Sequence, residues 1–314
     1  MGLFLLRRLL TLIATLVAVS IVVFLVMNAL PGDPALIVLG IDSTPEAQAA
    51  LREKMGLNEP LALRYLHWAG AALTGDFGIS HSFDVPVGRL IAERLPLTLP
   101  LAALATVATV TTAIALGVHA AARHGRLADW GVMALSQLGI AVPAFWLAIL
   151  LVILFAVRLR WLPPGGFPGW DDPVAALRAL VLPTVSLALV QSAILARVTR
   201  SSVLEVMRLD YARTARAKGL SRSAILRRHV LPNALIPIVT IIGMQIANLV
   251  TGTIVIENVF YLPGLGRLIF QSIANRDIFT VQALVMLFAA VVVVTNFLVD
   301  VAYALIDPRL KDRV

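Results

Sequence analysis

Six stretches of the chain run for 18 to 28 residues without a single Asp, Glu, Lys or Arg: 9–32, 95–118, 130–157, 179–196, 230–256 and 278–299. A bilayer hydrocarbon core of about 30 Å needs roughly 20 apolar helical residues to cross it. One soluble core cannot absorb six such runs, and the whole chain is 59% hydrophobic with 14% charged residues, against about 45–50% and 25% in an average soluble domain. The excess apolar surface must face lipid. The expected fold class is an all-α integral membrane protein with six transmembrane helices. The first run is too long for the roughly 7–15-residue apolar region of a signal peptide, and Met27-Asn28-Ala29-Leu30-Pro31 makes a poor cleavage site; it reads as an anchor helix. Six crossings put both termini on one side.

Basic residues set the direction, because Lys and Arg are retained in the cytoplasm. Segment 197–229 holds nine of them against two acids, whereas 33–95 holds five against eight acids. Segment 197–229 and both termini are therefore expected inside, and 33–95 outside. Arg158, Arg160 and Arg178 fall on the outer side in this scheme, outweighed by the inner excess. The net charge of +8 is then a topology signal, and no nucleic-acid partner is expected. The expected organisation is an anchor helix at 1–32, a periplasmic segment with short helices at 33–95, a five-helix core at 96–306, and a cytoplasmic tail at 307–314. In the outer segment, Thr44-Pro45 has the form of an N-cap and first helical turn, closed near Met55-Gly56. Pro60 opens a second helix, and Gly75-Asp76-Phe77-Gly78 breaks it.

Several chemistries are excluded by residue type. No Cys is present, which removes thiol chemistry and Cys-ligated metals, and no metal site is expected. Neither His-Glu-x-x-His nor Gly-x-Ser-x-Gly occurs, which weakens an intramembrane protease. The three lysines, Lys54, Lys218 and Lys311, do not follow glycine, so no phosphate-binding loop is present; no catalytic residue and no cofactor is assigned to this chain, and any ATP must be bound by a partner. The one acid well inside an expected span is Asp300, read as paired with a nearby Arg or reaching interfacial water. An ion-coupled carrier or channel would need inverted repeats and ionisable groups at mid-membrane, and neither is evident.

The inner loop carries the strongest pattern. Leu204, Met207, Tyr211 and Ala215 recur at helical spacing, with Arg208, Arg213, Arg216 and Lys218 on the other sides. Gly219 suits a left-handed helix end, and Ser221 or Ser223 can cap a second helix running to His229 and Pro232. Such a loop can dock a partner, lie on anionic lipid or serve only as a solvated positive face. In the fifth span, Thr240, Met244, Asn248 and Thr251 share a face with Gln245 beside it; polar residues at this depth line a cavity or bond helices together.

Asp210-Tyr211-Ala212-Arg213-Thr214-Ala215-Arg216-Ala217-Lys218-Gly219, followed thirteen residues on by Pro232 in His229-Val230-Leu231-Pro232, resembles the cytoplasmic signature of binding-protein-dependent ABC importer permeases. That signature reads Glu-Ala-Ala, three residues, Gly, nine residues and Ile-x-Leu-Pro. Arg213-Thr214-Ala215 stands in place of Glu-Ala-Ala, and Asp210 is the acid one turn earlier. Arg7-Arg8-Leu9-Leu10, Leu30-Pro31-Gly32-Asp33-Pro34, Gly75-Asp76-Phe77-Gly78, Glu257-Asn258-Val259-Phe260, Pro263-Gly264-Leu265-Gly266 and Asp307-Pro308-Arg309-Leu310 resemble the first permease of the dipeptide, oligopeptide and nickel importers. The resemblance implies a MetI-like type I importer core in the bacterial inner membrane. It also implies a second homologous permease, two ABC ATPases that bind ATP and Mg, a periplasmic substrate-binding protein, and surrounding membrane lipid. By the same resemblance, Leu204 to Gly219 forms a coupling helix whose outward apolar ridge of Met207, Tyr211 and Ala215 seats in an ATPase, with Asp210, Arg213, Thr214, Arg216, Lys218, Gly219 and Pro232 as further coupling residues, and the loop with Phe260, Pro263 and Gly264 gates the outer mouth. Di- or oligopeptides are the expected substrates, with nickel chelates, glutathione and other small solutes left open.

Overall fold

The computed structural model describes residues 2–29, 33–40 and 43–306. Leu30-Pro31-Gly32, the Asp307-Pro308-Arg309-Leu310 motif and the rest of tail 307–314 lie outside the described residues. The fold is mostly helical, at 80%. In chain order it comprises α1 (Gly2–Ala29), α2 (Pro34–Leu39), α3 (Pro45–Lys54), α4 (Leu61–Leu73), a two-residue hairpin of β1 (Ile79–Ser80) and β2 (Val85–Pro86), and α5 (Val87–Ala122). Then follow α6 (Leu127–Ala141), α7 (Ala144–Leu151), α8 (Pro173–Met207), α9 (Asp210–Ala217), α10 (Arg222–Ile225), α11 (Leu231–Val259), α12 (Leu265–Ala274) and α13 (Ile278–Ile306).

Five of these helices are long and apolar enough to cross a membrane, and α6 with the helix Ala144–Arg158 adds an apolar bent pair that brings the number to six when the pair is counted as one span. The break corrects the expectation of one continuous helix over 130–157. Val142 is extended, at φ −95° and ψ 123°, because Pro143 disfavours the helical conformation of the residue before it and supplies no amide donor. The two halves are bent by 103°. The second half ends in a π-helical turn, Val152–Arg158. Pro96, Pro100, Pro183 and Pro237 all stay inside helices, as proline can within a membrane, where neighbouring helices satisfy the freed backbone groups.

α5, α8 and α11 form the centre. Toward one end, Leu97, Leu101, Leu180, Leu187, Leu249, Ile256 and Phe260 pack together; toward the other, Ala113, Leu195, Ala196, Val203, Val230 and Ile238 do so. The helices meet through small residues. A Cβ at Gly117 would lie 2.5 Å from the Thr199 Cβ, and one at Gly139 would lie 2.9 Å from the Ala193 Cβ. Close backbone approach of this kind is how helices bind each other where lipid is as apolar as they are.

α1 lies on the periphery against α13, tied by an Arg8–Asp300 ion pair of 2.8 Å, one of the two roles expected for Asp300. Segment 33–95 follows the sequence reading at its caps: Thr44 accepts from the Ala47 amide at 3.3 Å, and Asp76 accepts from the Gly78 amide at 3.0 Å. α4 rests on α1 through Phe24, Tyr65 and Trp68, with Ser20 Oγ 2.8 Å from the Tyr65 hydroxyl. The hairpin was not foreseen. It binds the start of α13: Ser80 donates to the buried Asp277, which also accepts from the Thr280 hydroxyl at 2.8 Å.

Candidate functional sites at the two ends of the bundle

At the basic end, the continuous helix expected over 204–219 is divided. Leu204 and Met207 belong to the last turn of α8; Arg208 ends that helix, Leu209 is extended at φ −70° and ψ 151°, and α9 begins at Asp210. The expected outward ridge of Met207, Tyr211 and Ala215 is corrected as well. Ala212 and Ala215 are buried, packed inward with Ile225, Val230, Ala234 and Ile238, and Met207 is partly buried beside them. Helical spacing then turns Asp210, Arg213, Thr214, Ala217 and Lys218 outward, with Arg216 and Tyr211 also exposed. Desolvation raises the Tyr211 phenol above its ordinary pKa.

Gly219 is at φ +80° with open space where a Cβ would stand, which satisfies the left-handed corner the sequence required. Ser221 then accepts from the Ala224 amide at 3.3 Å as the cap of α10. A π-helical turn, Leu226–Val230, leads directly into α11. Pro232 is exposed in the first turn of α11. α9 packs on α8, α10 and the π-helical turn ahead of α11, in a cluster that holds Ala212, Ala215, Ile225 and Val230.

A buried polar cluster holds this end together. Asp129, 3% exposed, accepts from Arg200 Nε at 2.5 Å and Nη2 at 2.8 Å and from the Gly125 amide at 3.0 Å, with His124 Nδ1 at 3.1 Å. It fastens the α5–α6 turn to α8. Asp129 lies at the edge of the third apolar stretch, the one signal in the sequence that pointed to it.

At the opposite end, the segment expected as a mobile loop after the fifth span contains an ordered helix, α12. Its Leu265, Leu268 and Ile269 pack against Val87, Leu90 and Ile91 of α5 and against Leu284 of α13. Phe260 is 1% exposed within the core and accepts from the Gly166 amide at 2.8 Å through its carbonyl. Its neighbour Tyr261 is 68% exposed, held at φ 54°, with Arg267 stacked 4.8 Å from its ring and donating to its carbonyl at 3.0 Å. Pro263 is exposed and Gly264 buried.

Glu257 is the residue this turn is built around; the sequence marks it only as the end of an apolar run and as the first residue of the Glu257-Asn258-Val259-Phe260 motif, with no role assigned to its carboxylate. Its side chain is fully buried. It accepts from the Thr98 hydroxyl at 2.7 Å, the Gly266 amide at 2.6 Å and the Arg267 amide at 3.3 Å. Thr98 in turn accepts from the Leu265 amide at 2.9 Å. One carboxylate thereby satisfies the free donors at the start of α12. Gly264 leaves room for it, since a Cβ there would overlap the carboxylate.

Along α11, Met244, Asn248 and Thr251 are exposed, whereas Gln245 is buried and donates to the Gln191 carbonyl of α8 at 2.9 Å. Thr240 is half-buried. The expected face is thus split between a helix-to-helix hydrogen bond and an open surface. Among the described residues, no group of three or more His, Asp and Glu side chains is arranged to hold a metal ion.

The sequence matches the family described as binding-protein-dependent transport system inner membrane component over residues 113–312, and the N-terminal part of that system's membrane component over 1–102. The chain belongs to this family of ABC importer permeases. It is 42% identical over 312 residues to y4tP of Sinorhizobium fredii, named as a peptide ABC transporter permease, covering 99% of this chain and 100% of that one. It is 44% identical over 307 residues to a protein of Brucella abortus named as a peptide transport system permease, covering 98% of each chain. Identity to the glutathione transport system permease GsiC of Salmonella choleraesuis is 40% over 308 residues, again covering 98% of each. In fold, 69% of the chain superposes on 96% of a chain of the inward-facing MetNI methionine ABC transporter, with a TM-score of 0.57 at 19% identity.

The Glu257 cluster gives a direct test of what holds this end of the permease. Replacing Glu257 by Ala would strand two buried backbone amides and the Thr98 hydroxyl, at about 1–3 kcal/mol for each unpaired group. Glu257→Gln keeps one acceptor oxygen. In detergent-solubilised protein the melting temperature should fall for both and fall further for Glu257→Ala; equal melting of Glu257→Ala and the parent would remove Glu257 from this role.

Proposed function

We propose that the chain is one of two permease subunits of an ATP-driven importer of di- or oligopeptides, with both termini in the cytoplasm. A partner ATPase engages α9, and a substrate-binding protein delivers peptide at the end bearing α12. The observation that carries this reading is the two-sided character of α9. Its inner alanines are seated in the hydrophobic cluster that includes the start of α11, while its outer face is polar and uncovered. A force applied to the outer face reaches α11 through close-packed side chains, without a flexible joint. The peptide substrate is supported by the names of the relatives from Sinorhizobium fredii and Brucella abortus; GsiC extends the same chemistry to glutathione, itself a small peptide. ATP and Mg are assigned to the ATPases.

Two substitutions test the coupling. Gly219→Val forces a β-branched residue into positive φ, which misdirects the corner. Thr214→Trp puts bulk on the outer face without touching the packed one. Both should reduce ATPase co-purification, or leave ATP hydrolysis uncoupled from peptide uptake. Normal assembly together with normal uptake in both variants would reject α9 as the contact.

Orientation is tested in this cysteine-free chain with Ser43→Cys and Ser221→Cys. An impermeant thiol reagent applied to intact spheroplasts should label the first and spare the second; the reverse pattern would invert the whole assignment.

The exposed face of α11, with Met244, Asn248 and Thr251, is assigned to the wall of the pathway at the interface with the second permease. The outer mouth lies at the turn carrying Tyr261 and Pro263, for which Phe260 and Gly264 serve as buried anchors. Asn248→Leu should change peptide uptake with the complex still assembled and its melting temperature unchanged. A lower melting temperature with an unaltered range of peptides would mark Asn248 as a packing residue instead.

A further inference from the structure

Arg158, Arg160 and Arg178 run against the rule that keeps basic residues inside, and nothing assigned so far uses them. They flank the loop between the π-helical turn and α8. That loop is pinned to the bundle at two points. Gly166 donates to the Phe260 carbonyl at 2.8 Å, and Trp170 Nε1 donates to the Pro96 carbonyl at 2.8 Å. The Pro96 carbonyl is free to accept because Pro100, four residues on, has no amide to offer it. Arg160 follows the π-helical turn and Leu159 with φ at 54°. The Trp161 amide closes this corner by donating to the Phe155 carbonyl at 2.9 Å. A left-handed helix end ordinarily falls to Gly, and a long side chain there is strained. Backbone strain of this kind clusters at ligand-binding positions.

Arg160 and Arg178 line one cavity of about 560 Å³, together with Trp161, Leu162 and Phe167. Its size is that of an ordinary small-ligand site, ~300–1,000 Å³. No Asp or Glu lines it. Asp172 is committed to the Val174 and Ala175 amides as the cap of α8, at 3.1 and 3.0 Å. Among the described residues, neither Arg160 nor Arg178 has an ion-pair partner. Arg178 donates to the Trp161 carbonyl at 2.9 Å, which orients a guanidinium that still has further N–H groups to give. Two such forks beside an aromatic wall match a carboxylate with an apolar group one carbon away. The last residue of a peptide has that form. We propose that this cavity is a subsite for the free C-terminal carboxylate of a short peptide, a reading that rests on the peptide assignment above. Arg160 and Arg178 take the carboxylate, and Trp161 and Phe167 take the terminal side chain. Both arginines are exposed, so the hold is weak, which suits a chain that must release its cargo. The cavity adjoins the turn assigned to the outer mouth, because Gly166 in its wall is bonded to Phe260.

The test uses the full chain with its co-purified subunits in nanodiscs, without the binding protein, and saturation-transfer NMR with the tripeptide Ala-Ala-Phe and its C-terminal amide as probes. The parent should bind the free acid more tightly than the amide. Arg160→Gly and Arg178→Gln should each weaken binding of the free acid about fivefold and bring it toward the amide. Gly suits the positive φ at 160, so a loss there is a loss of the side chain and not of the corner. Arg178→Lys should retain most of the preference, which separates charge from the contact with Trp161. Equal binding of acid and amide by the parent would overturn the proposal, as would equal binding of the acid by the parent and both charge-removing variants. Variants that bind the acid like the parent but lose the binding protein would overturn it in favour of a docking surface. Uptake of peptides in proteoliposomes supplied with the binding protein tests the underlying assignment separately. Uptake without acid-specific binding would overturn the subsite alone, whereas a parent complex that imports no short peptide would overturn the peptide assignment and the subsite with it.

Discussion

Helix-to-helix approach without side-chain bulk is the constraint on which the rest of this permease depends. In lipid, no hydrophobic force drives one apolar helix onto another, so association must come from contact area and hydrogen bonds. Gly117 against Thr199 and Gly139 against Ala193 bring α5 and α6 onto α8 at distances that any Cβ would violate. Gly243 does the same for α11 against Val299 of α13. Once α8 is fixed between its neighbours, both its ends are fixed too. One end is clamped through Arg200 and Asp129; the other packs near the loop that bonds to Phe260.

The buried carboxylates complete what small residues begin. Glu257 and Asp277 are each fully buried, and each sits where a helix starts and leaves amides unpaired. Asp129 does the equivalent for the turn between α5 and α6. An ionisable group in such a place is costly, and here each one ties two or more segments that are distant in sequence: Glu257 with Thr98, Asp277 with Ser80, Asp129 with Arg200. Each end of the bundle is thereby held by a hydrogen-bonded carboxylate as well as by packing.

The membrane class, the positions of the crossings, the Thr44 cap and the Gly219 corner were all readable from the sequence, because each depends on local chemistry or on composition over a window. What escaped was set by tertiary contact. The 103° break at Val142-Pro143 lies in an uncharged stretch, where hydropathy continues across a change of direction. Phe260 had the chemistry of a plug, yet the Gly166 amide draws its backbone into the core. Glu257 marked the end of an apolar run and so passed as a boundary, although its partners are 159 residues away at Thr98 and nine residues away at Gly266. Gln245 and Asn248 were indistinguishable as neighbours in sequence; only the position of α8 separates the bound one from the open one.

The departure of this chain from its family's inner-loop signature has a physical explanation in α9. The position where the signature carries its last alanine is Ala215, which is buried against Ile225 and Val230. A larger side chain there would lift α9 from the body and lengthen the path to α11. Ala212, one turn earlier, is buried for the same reason. Arg213, standing where the signature has an acid, is 70% exposed at its side chain, so its charge is not constrained by packing and can reverse without disturbing the fold. The small residues of the motif thus preserve the seat of the helix, and its exposed residues are free to follow the chemistry of whatever they meet. In this chain the acid of the signature has given way to Arg213, which stands with Arg216 among the exposed residues of α9.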